Sequence, residues 1–279
     1  MTSTLNICAV TRRYGSPDRG LEVLSPLTAD VRDGECVAIV GPSGCGKSSL
    51  LSIIAGHRPA TTGEVVFEGR KVFAPHPERQ LMQQHDSLLP HLTVEENLEL
   101  ALTAMQWRSA PMLHRWVHAF RFGFSKLLLN SRKVPENLKA KTNAALNEVG
   151  LAGFASSYPK SLSGGMRRRA ELARCLLADG KLLLLDEPFT GLDALAREQM
   201  HELIDRVWIQ KGKTCVIVTH DWNEAAVLAD RILVMSSRPG RIVSEIKVNL
   251  PRPRNRSVQV SDAFMQIAGS LHETLRHES

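Results

Sequence analysis

Cysteine is scarce and poorly placed for cross-linking. The five residues, Cys8, Cys36, Cys45, Cys175 and Cys215, are odd in number and scattered. None is spaced as Cys-x-x-Cys, so neither a disulfide framework nor a zinc site is indicated, and a reducing compartment fits. Long apolar runs are missing as well. Runs such as residues 182–185 fall far short of the roughly 18 to 20 residues that span a bilayer, so the chain is not expected to cross one. Residues 1–13 hold a few apolar side chains but no basic leader followed by an apolar stretch, so no signal peptide is expected and the chain should stay in the cytoplasm. Strong charge of one sign is absent too. The formal net charge of +6 is mild, compatible with anionic ligands, anionic lipid or neither. No internal repeat is visible.

What the chain does have is enough apolar content, 43% of 279 residues, for a substantial buried core. Residues 35–40 (Glu-Cys-Val-Ala-Ile-Val) form a short β-rich run, followed at once by a glycine-rich stretch and a helix-compatible segment at 47–55. Two further buried-strand candidates end in polar residues. Residues 181–185 run into Asp186-Glu187-Pro188, and residues 214–219 run into His220-Asp221. In an open parallel α/β sheet the ligand crevice lies outside the carboxyl ends of the strands, so the three clusters can converge on one site. Residues 86–159 read as mostly helical, with Thr93-Val94-Glu95-Glu96 a capping box and residues 135–149 another helix. Beyond Arg238-Pro239-Gly240 lie an alternating run at 242–250, a Pro251-Arg252-Pro253-Arg254 segment and a weakly amphipathic helix at about 262–275.

The glycine-rich stretch Gly41-Pro42-Ser43-Gly44-Cys45-Gly46-Lys47-Ser48 matches the phosphate-binding P-loop pattern in full. Glycines let successive backbone N–H groups turn inward around phosphates, and the following helix presents its positive end to the same charge. Lys47 is expected to reach the β and γ phosphates of ATP, and the Ser48 hydroxyl to ligate Mg²⁺. Asp186, at the end of an apolar strand, is a candidate for the Mg²⁺ shell, and Glu187 is placed to orient or deprotonate an attacking water. Cys45 lies inside the loop, so alkylation there is expected to block nucleotide binding.

The element that narrows the class is Leu162-Ser163-Gly164-Gly165-Met166. With the P-loop, Gln84, Asp186-Glu187, Leu192-Asp193 and His220 in that order, the chain resembles the ATP-binding cassette (ABC) ATPases, whose signature is Leu-Ser-Gly-Gly-Gln. Met166 replaces the usual glutamine. The resemblance runs from about Tyr14 to Arg254. It implies a P-loop NTPase (RecA-like) α/β core with an ABC antiparallel β subdomain and an inserted α-helical subdomain. The expected bounds are 1–85 and 160–245 for the core, 86–159 for the helical subdomain and 246–279 for a C-terminal extension.

The resemblance also implies an ATP hydrolase in which two cassettes close face to face. Residues Gly41 to Ser49, Ser49 included, would bind nucleotide on one copy, and Ser163, Gly164 and Gly165 of the other would complete the site, with Asp193 nearby. It assigns Gln84 to Mg²⁺ or its water and to relaying nucleotide state, and His220 to the γ-phosphate. Gln83 stands where the family often has an aromatic. Tyr14 fits the aromatic that stacks on adenine, and equally a packing residue.

The phrases from Phe189 to Arg197, Thr219-His220-Asp221 and Met235 to Ile242 look most similar to nitrate, aliphatic sulfonate and taurine importers. Expected partners are therefore transmembrane permease subunits, a second ATP-binding subunit and a separate solute-binding protein, at the cytoplasmic face of the inner membrane. Nucleic acid is not expected. An export cassette and a soluble, non-transport ABC protein are the alternatives. Residues 104–133 lengthen the family's usual connection with Trp107, Trp116, Phe120, Phe122 and Phe124, six Arg or Lys and no Asp or Glu. As a basic amphipathic helix this segment would pack on the helical subdomain, or dock on the membrane partner or anionic lipid.

Overall fold

The computed structural model describes residues 3–16, 20–108, 135–177, 180–254 and 256–278. In chain order its elements are β1 (Ser3–Tyr14), β2 (Leu21–Arg32), β3 (Cys36–Val40), α1 (Lys47–Ile54), β4 (Thr62–Phe67), β5 (Arg70–Lys71) and β6 (Arg79–Met82). Then follow α2 (Val94–Arg108), α3 (Glu136–Glu148), α4 (Gly164–Leu177), β7 (Leu182–Asp186), α5 (Ala194–Lys211) and β8 (Thr214–Thr219). The chain continues through α6 (Trp222–Leu228), β9 (Arg231–Met235), β10 (Ile242–Lys247), α7 (Arg256–Gln259) and α8 (Asp262–Glu278). No helix among the described residues is long and apolar enough to cross a membrane.

The chain separates into two compact units. The first takes in the described residues of Met1–Gln84, Lys181–Thr190 and Glu198–Ser279. It contains a six-stranded sheet in the order β10-β9-β3-β8-β7-β6 and a four-stranded antiparallel sheet in the order β2-β1-β4-β5. In the larger sheet β9, β3, β8, β7 and β6 run parallel, and β10 pairs antiparallel at the edge. Every residue of β3, β7, β8 and β9 is buried. Parallel strands covered on both faces need such uninterrupted apolar runs, which explains why these segments carry no inside–outside alternation. Leu5, Ile7, Leu27 and Val31 of the antiparallel sheet share one core with Leu50, Leu51 and Ile54 of α1 and with Val37 and Ile39 of β3. Helix α1 and the loop before it are thereby fixed against the sheet.

The second unit takes in the described residues of His85–Gly180 and Gly191–Arg197. The capping box at the start of α2 is formed: Thr93 N–H donates to Glu96 Oε2 at 2.7 Å, and Glu96 N–H donates to Thr93 Oγ1 at 3.2 Å. Helices α2, α3 and α4 pack on one another. The expected boundary at 159/160 is therefore replaced by one at 180/181. Helix α4 is amphipathic enough to need a partner, and its partners are α2 and α3. A buried network ties it to the segment after Gln84. Arg168 Nη1 pairs with Glu171 Oε2 at 3.0 Å, Ser87 Oγ donates to Glu171 Oε1 at 2.8 Å, and Arg174 Nη1 donates to Ser87 O at 2.7 Å.

Residues 246–279 are an integral part of the first unit, not an appended extension. Arg254 is buried and donates to Ala226 O at 3.1 Å, Val227 O at 3.3 Å and Val248 O at 3.2 Å, and to Ala229 O. It satisfies carbonyls at the end of α6 that have no intrahelical partner. Arg252 donates to Leu228 O at 2.6 Å and Asp230 Oδ1 at 3.0 Å and pairs with Asp205. The basic aromatic helix expected within 104–133 lies largely outside the described residues.

Candidate functional site

Strand β3 ends at Val40, and the chain turns through 41–46 before α1 begins at Lys47. Gly44 and Gly46 have φ of 77° and 110°, left-handed values at which a side chain is strained. A Cβ on Gly46 would lie 2.6 Å from Leu24 Cδ2, and one on Gly41 would lie 2.8 Å from Met235 O. Lys47 is buried at 5% exposure, with Nζ donating to Gly41 O at 2.7 Å and Pro42 O at 2.8 Å. The loop carbonyls thus hold the ammonium inside the turn. Helix α1 has Gly46 as its N-cap and no side-chain cap, so no side chain takes up its first N–H groups, an arrangement suited to an anion. The Cys45 thiol is in the hydrophobic core at 1% exposure. Its sulfur is shielded, so the alkylation expected from sequence requires the loop to open from the core.

The ends of β7 and β8 bring the polar residues together in the same unit. Ser48 Oγ donates to Asp186 Oδ1 at 2.9 Å. Gln84 Nε2 and Thr190 Oγ1 donate to Glu187 Oε2 at 3.0 Å and 2.9 Å, and His220 Nδ1 lies 3.4 Å from Glu187 Oε1. Glu187 has φ 45°, and its N–H donates to Val218 O at 2.8 Å. A non-glycine residue in that region carries on the order of 1 kcal/mol of backbone strain, which the surrounding bonds must offset. His220 is exposed, but its backbone sits between β8 and a capped helix, where Asp221 Oδ1 accepts from Asn223 N at 2.8 Å.

Ser48 and Asp186 supply two hard oxygens side by side. Among the described residues no cluster of three or more His, Cys, Asp or Glu can hold a metal. Mg²⁺ takes one or two protein oxygens and completes its shell with water and phosphate, a demand that the Ser48–Asp186 pair can meet.

Tyr14 lies beside the loop, its hydroxyl 3.2 Å from Ser49 Oγ and accepting from Arg58 Nη1 at 3.0 Å. Arg12 stacks its guanidinium 4.4 Å from the ring centroid. Burial raises the phenol pKa, but hydrogen bonds with Ser49 and Arg12 and the charge of Arg58 outweigh it, and the net shift is downward from 10.0.

Ser163, Gly164, Gly165 and Asp193 belong to the second unit. Ser163 Oγ accepts from Met166 N at 3.2 Å and so caps α4, and Asp193 Oδ1 accepts from Ala196 N at 2.8 Å and caps α5. A Cβ on Gly165 would lie 3.3 Å from Ala196 Cβ, so this glycine permits close approach of the two capped turns. Thr190, Arg12, Arg58 and Arg238 were not anticipated from sequence. Only Thr190, three residues beyond Glu187 in a turn, has a local signal that would have found it.

A phosphate loop after the central strand, with a serine–aspartate pair and a held carboxylate at neighbouring strand ends, defines a P-loop nucleoside triphosphatase. The comparisons narrow this. The ABC transporter family model matches residues 24–190. The aliphatic sulfonates import ATP-binding protein SsuB of Bacillus cereus is 36% identical over 264 residues, covering 95% of this chain and 92% of that protein. The nitrate import ATP-binding protein NrtC of Synechococcus elongatus is 37% identical over 84% of this chain and 32% of its own length. The dimeric post-hydrolysis structure of the ATP-binding cassette MJ0796, bound to ADP and Pi, is 28% identical with TM-score 0.70, covering 88% of this chain and 98% of that one. The chain belongs to the ABC transporter family. It is an ATP-binding, ATP-hydrolysing cassette, and cassettes of this kind pair with one another and with permease subunits.

Proposed function

We propose that this chain is the ATPase subunit of an importer for a small anion such as a sulfonate, taurine or nitrate. It works at the cytoplasmic face of the inner membrane as a pair, most simply of identical copies, with permease subunits and a separate solute-binding protein. Its similarity to SsuB over 95% of its length supports the cargo class.

The observation that carries the catalytic reading is Glu187, held by Gln84 and Thr190, facing His220 and next in sequence to Asp186. In the proposed reaction a water oxygen attacks the γ-phosphorus and its proton passes to the Glu187 carboxylate, as the bond from the γ-phosphorus to the bridging oxygen breaks and ADP leaves. Lys47 and the loop N–H groups from Gly41 to Ser49 hold the phosphates, and His220 donates to the γ-phosphate. Ser48, Asp186 and Gln84 would hold Mg²⁺, which when bound neutralises charge on the β and γ oxygens. Tyr14 positions the adenine. Ser163, Gly164 and Gly165, with Asp193 after them, complete the phosphate site of the partner copy. Short backbone donors suit that task because a side chain on either glycine would obstruct the phosphate.

Reconstitution with the permease and solute-binding protein tests the reading. ATP-dependent uptake of a labelled sulfonate, taurine or nitrate into proteoliposomes is expected. ATP hydrolysis that proceeds with none of these anions transported would overturn the cargo assignment.

A further inference from the structure

The loop joining β9 to β10 is seated on the outside of the phosphate loop at three successive points. Met235 O lies 2.8 Å from where a Cβ on Gly41 would be. Gly240 is closer still, since a Cβ there would lie 2.1 Å from Cys45 O. Gly240 is itself pinned, its N–H donating to Val23 O at 2.9 Å and its carbonyl accepting from Ser25 N at 3.1 Å. Between these two contacts, Arg238 Nη2 and Nε both donate to Gly44 O, at 2.8 Å and 3.1 Å. A Cβ on Gly44 would come within 3.0 Å of Arg238 Nη2, a close approach that the guanidinium could relieve by a small shift, whereas the φ of 77° favours glycine outright.

We infer that Arg238 is a positioning residue for nucleotide binding, holding the Gly44 carbonyl outward so that the Cys45 N–H is directed into the phosphate cradle. The geometry of the peptide unit carries this. Gly44 C=O and Cys45 N–H share one trans peptide plane and point in opposite directions, so fixing the first aims the second. In this structure Cys45 N–H meets Pro42 O at 3.4 Å, a long bond that a phosphate oxygen can replace. Lys47 also braces the loop, through Gly41 O and Pro42 O, but the same ammonium is needed at the phosphate. Arg238 contacts the face of the loop away from that competition and keeps its grip when phosphate arrives. Its two donors on one acceptor fix the tilt of the plane, which a single ammonium cannot do.

The inference rests on the loop being the phosphate site, and the test separates the two. Fluorescent nucleotide titration and thermal unfolding are measured on the full chain for wild type, Arg238→Ala, Arg238→Lys and Lys47→Ala. Arg238→Ala is expected to weaken ATP binding roughly three- to tenfold, as for loss of one exposed charge-assisted contact, with an unchanged midpoint of unfolding without nucleotide. Arg238→Lys should recover only part of the affinity. ATP affinity within twofold of wild type in Arg238→Ala would overturn the inference. So would a fall in affinity matched by lower stability without nucleotide, which marks a structural role, and so would complete rescue by lysine, which marks charge alone. In either of the last cases Lys47→Ala still loses binding and the phosphate-site reading stands; unchanged binding in Lys47→Ala removes both.

Discussion

Replacing Glu187 by glutamine separates chemistry from architecture at this site. The carboxylate makes contacts in two directions: Oε2 accepts from Gln84 at 3.0 Å and Thr190 at 2.9 Å, and Oε1 faces His220 Nδ1 at 3.4 Å. A glutamine can turn its amide oxygen to Gln84 and Thr190 and its NH₂ to His220. Both bonds to the loop survive, and the loss in folding stability should stay below about 1 kcal/mol. What disappears is the proton acceptor. A positioned general base contributes about 10²- to 10⁴-fold in rate, equivalent to about 2.7 to 5.5 kcal/mol of barrier. Phosphate release by the complex reconstituted with its permease should therefore fall at least about hundredfold. ATP affinity should stay within about threefold of wild type, since no bond to the P-loop is touched. Hydrolysis within tenfold of wild type would show that Glu187 is not the base. Loss of ATP binding or of folded protein would show that its carboxylate serves structure.

Glu171→Ala should destabilise the helical unit by about 1 to 3 kcal/mol in urea unfolding, because it removes the buried carboxylate that Ser87 and Arg168 both bond; a loss under about 0.5 kcal/mol would mean water replaces the carboxylate. Absorbance titration should find one of the chain's two tyrosines ionising below 10.0, a phase absent from Tyr14→Phe. Because the folded-state pKa is the lower one, this tyrosine's contribution to stability is complete above pH 10.0 and is lost as pH falls through the lowered value. A phase that persists in Tyr14→Phe would assign the shift elsewhere. Thiol titration of the native protein should modify exposed Cys8 quickly and Cys45 only on unfolding; rapid labelling of Cys45 would mean the loop opens from the core.

The residues that the structure gathers at the candidate site were largely legible in the chain because the patterns that mark them are local. A P-loop is a run of consecutive backbone N–H groups, so its residues must be adjacent in sequence, and a carboxylate after an apolar strand marks a sheet's functional edge. The capping box at Thr93 and Glu96 and the strand at 214–219 were readable for the same reason, since each obeys a short-range rule. What connects these pieces has no local signature. Ser48 and Asp186 meet across 138 residues, and Arg238 and Gly44 across 194. Neither partner's neighbours in the chain specify that contact. Helix α4 shows the limit from the other side. Its pattern says that one face must be buried, but that α2 and α3 cover it follows from packing of whole elements, which is why the boundary expected at 159/160 differs from the one at 180/181. The Pro251–Arg254 segment has its physical role only in three dimensions, where Arg254 meets carbonyls at the end of α6 that have no intrahelical partner. Backbone groups left over at a helix end can be satisfied by any donor that folding delivers, and sequence spacing does not say which one arrives.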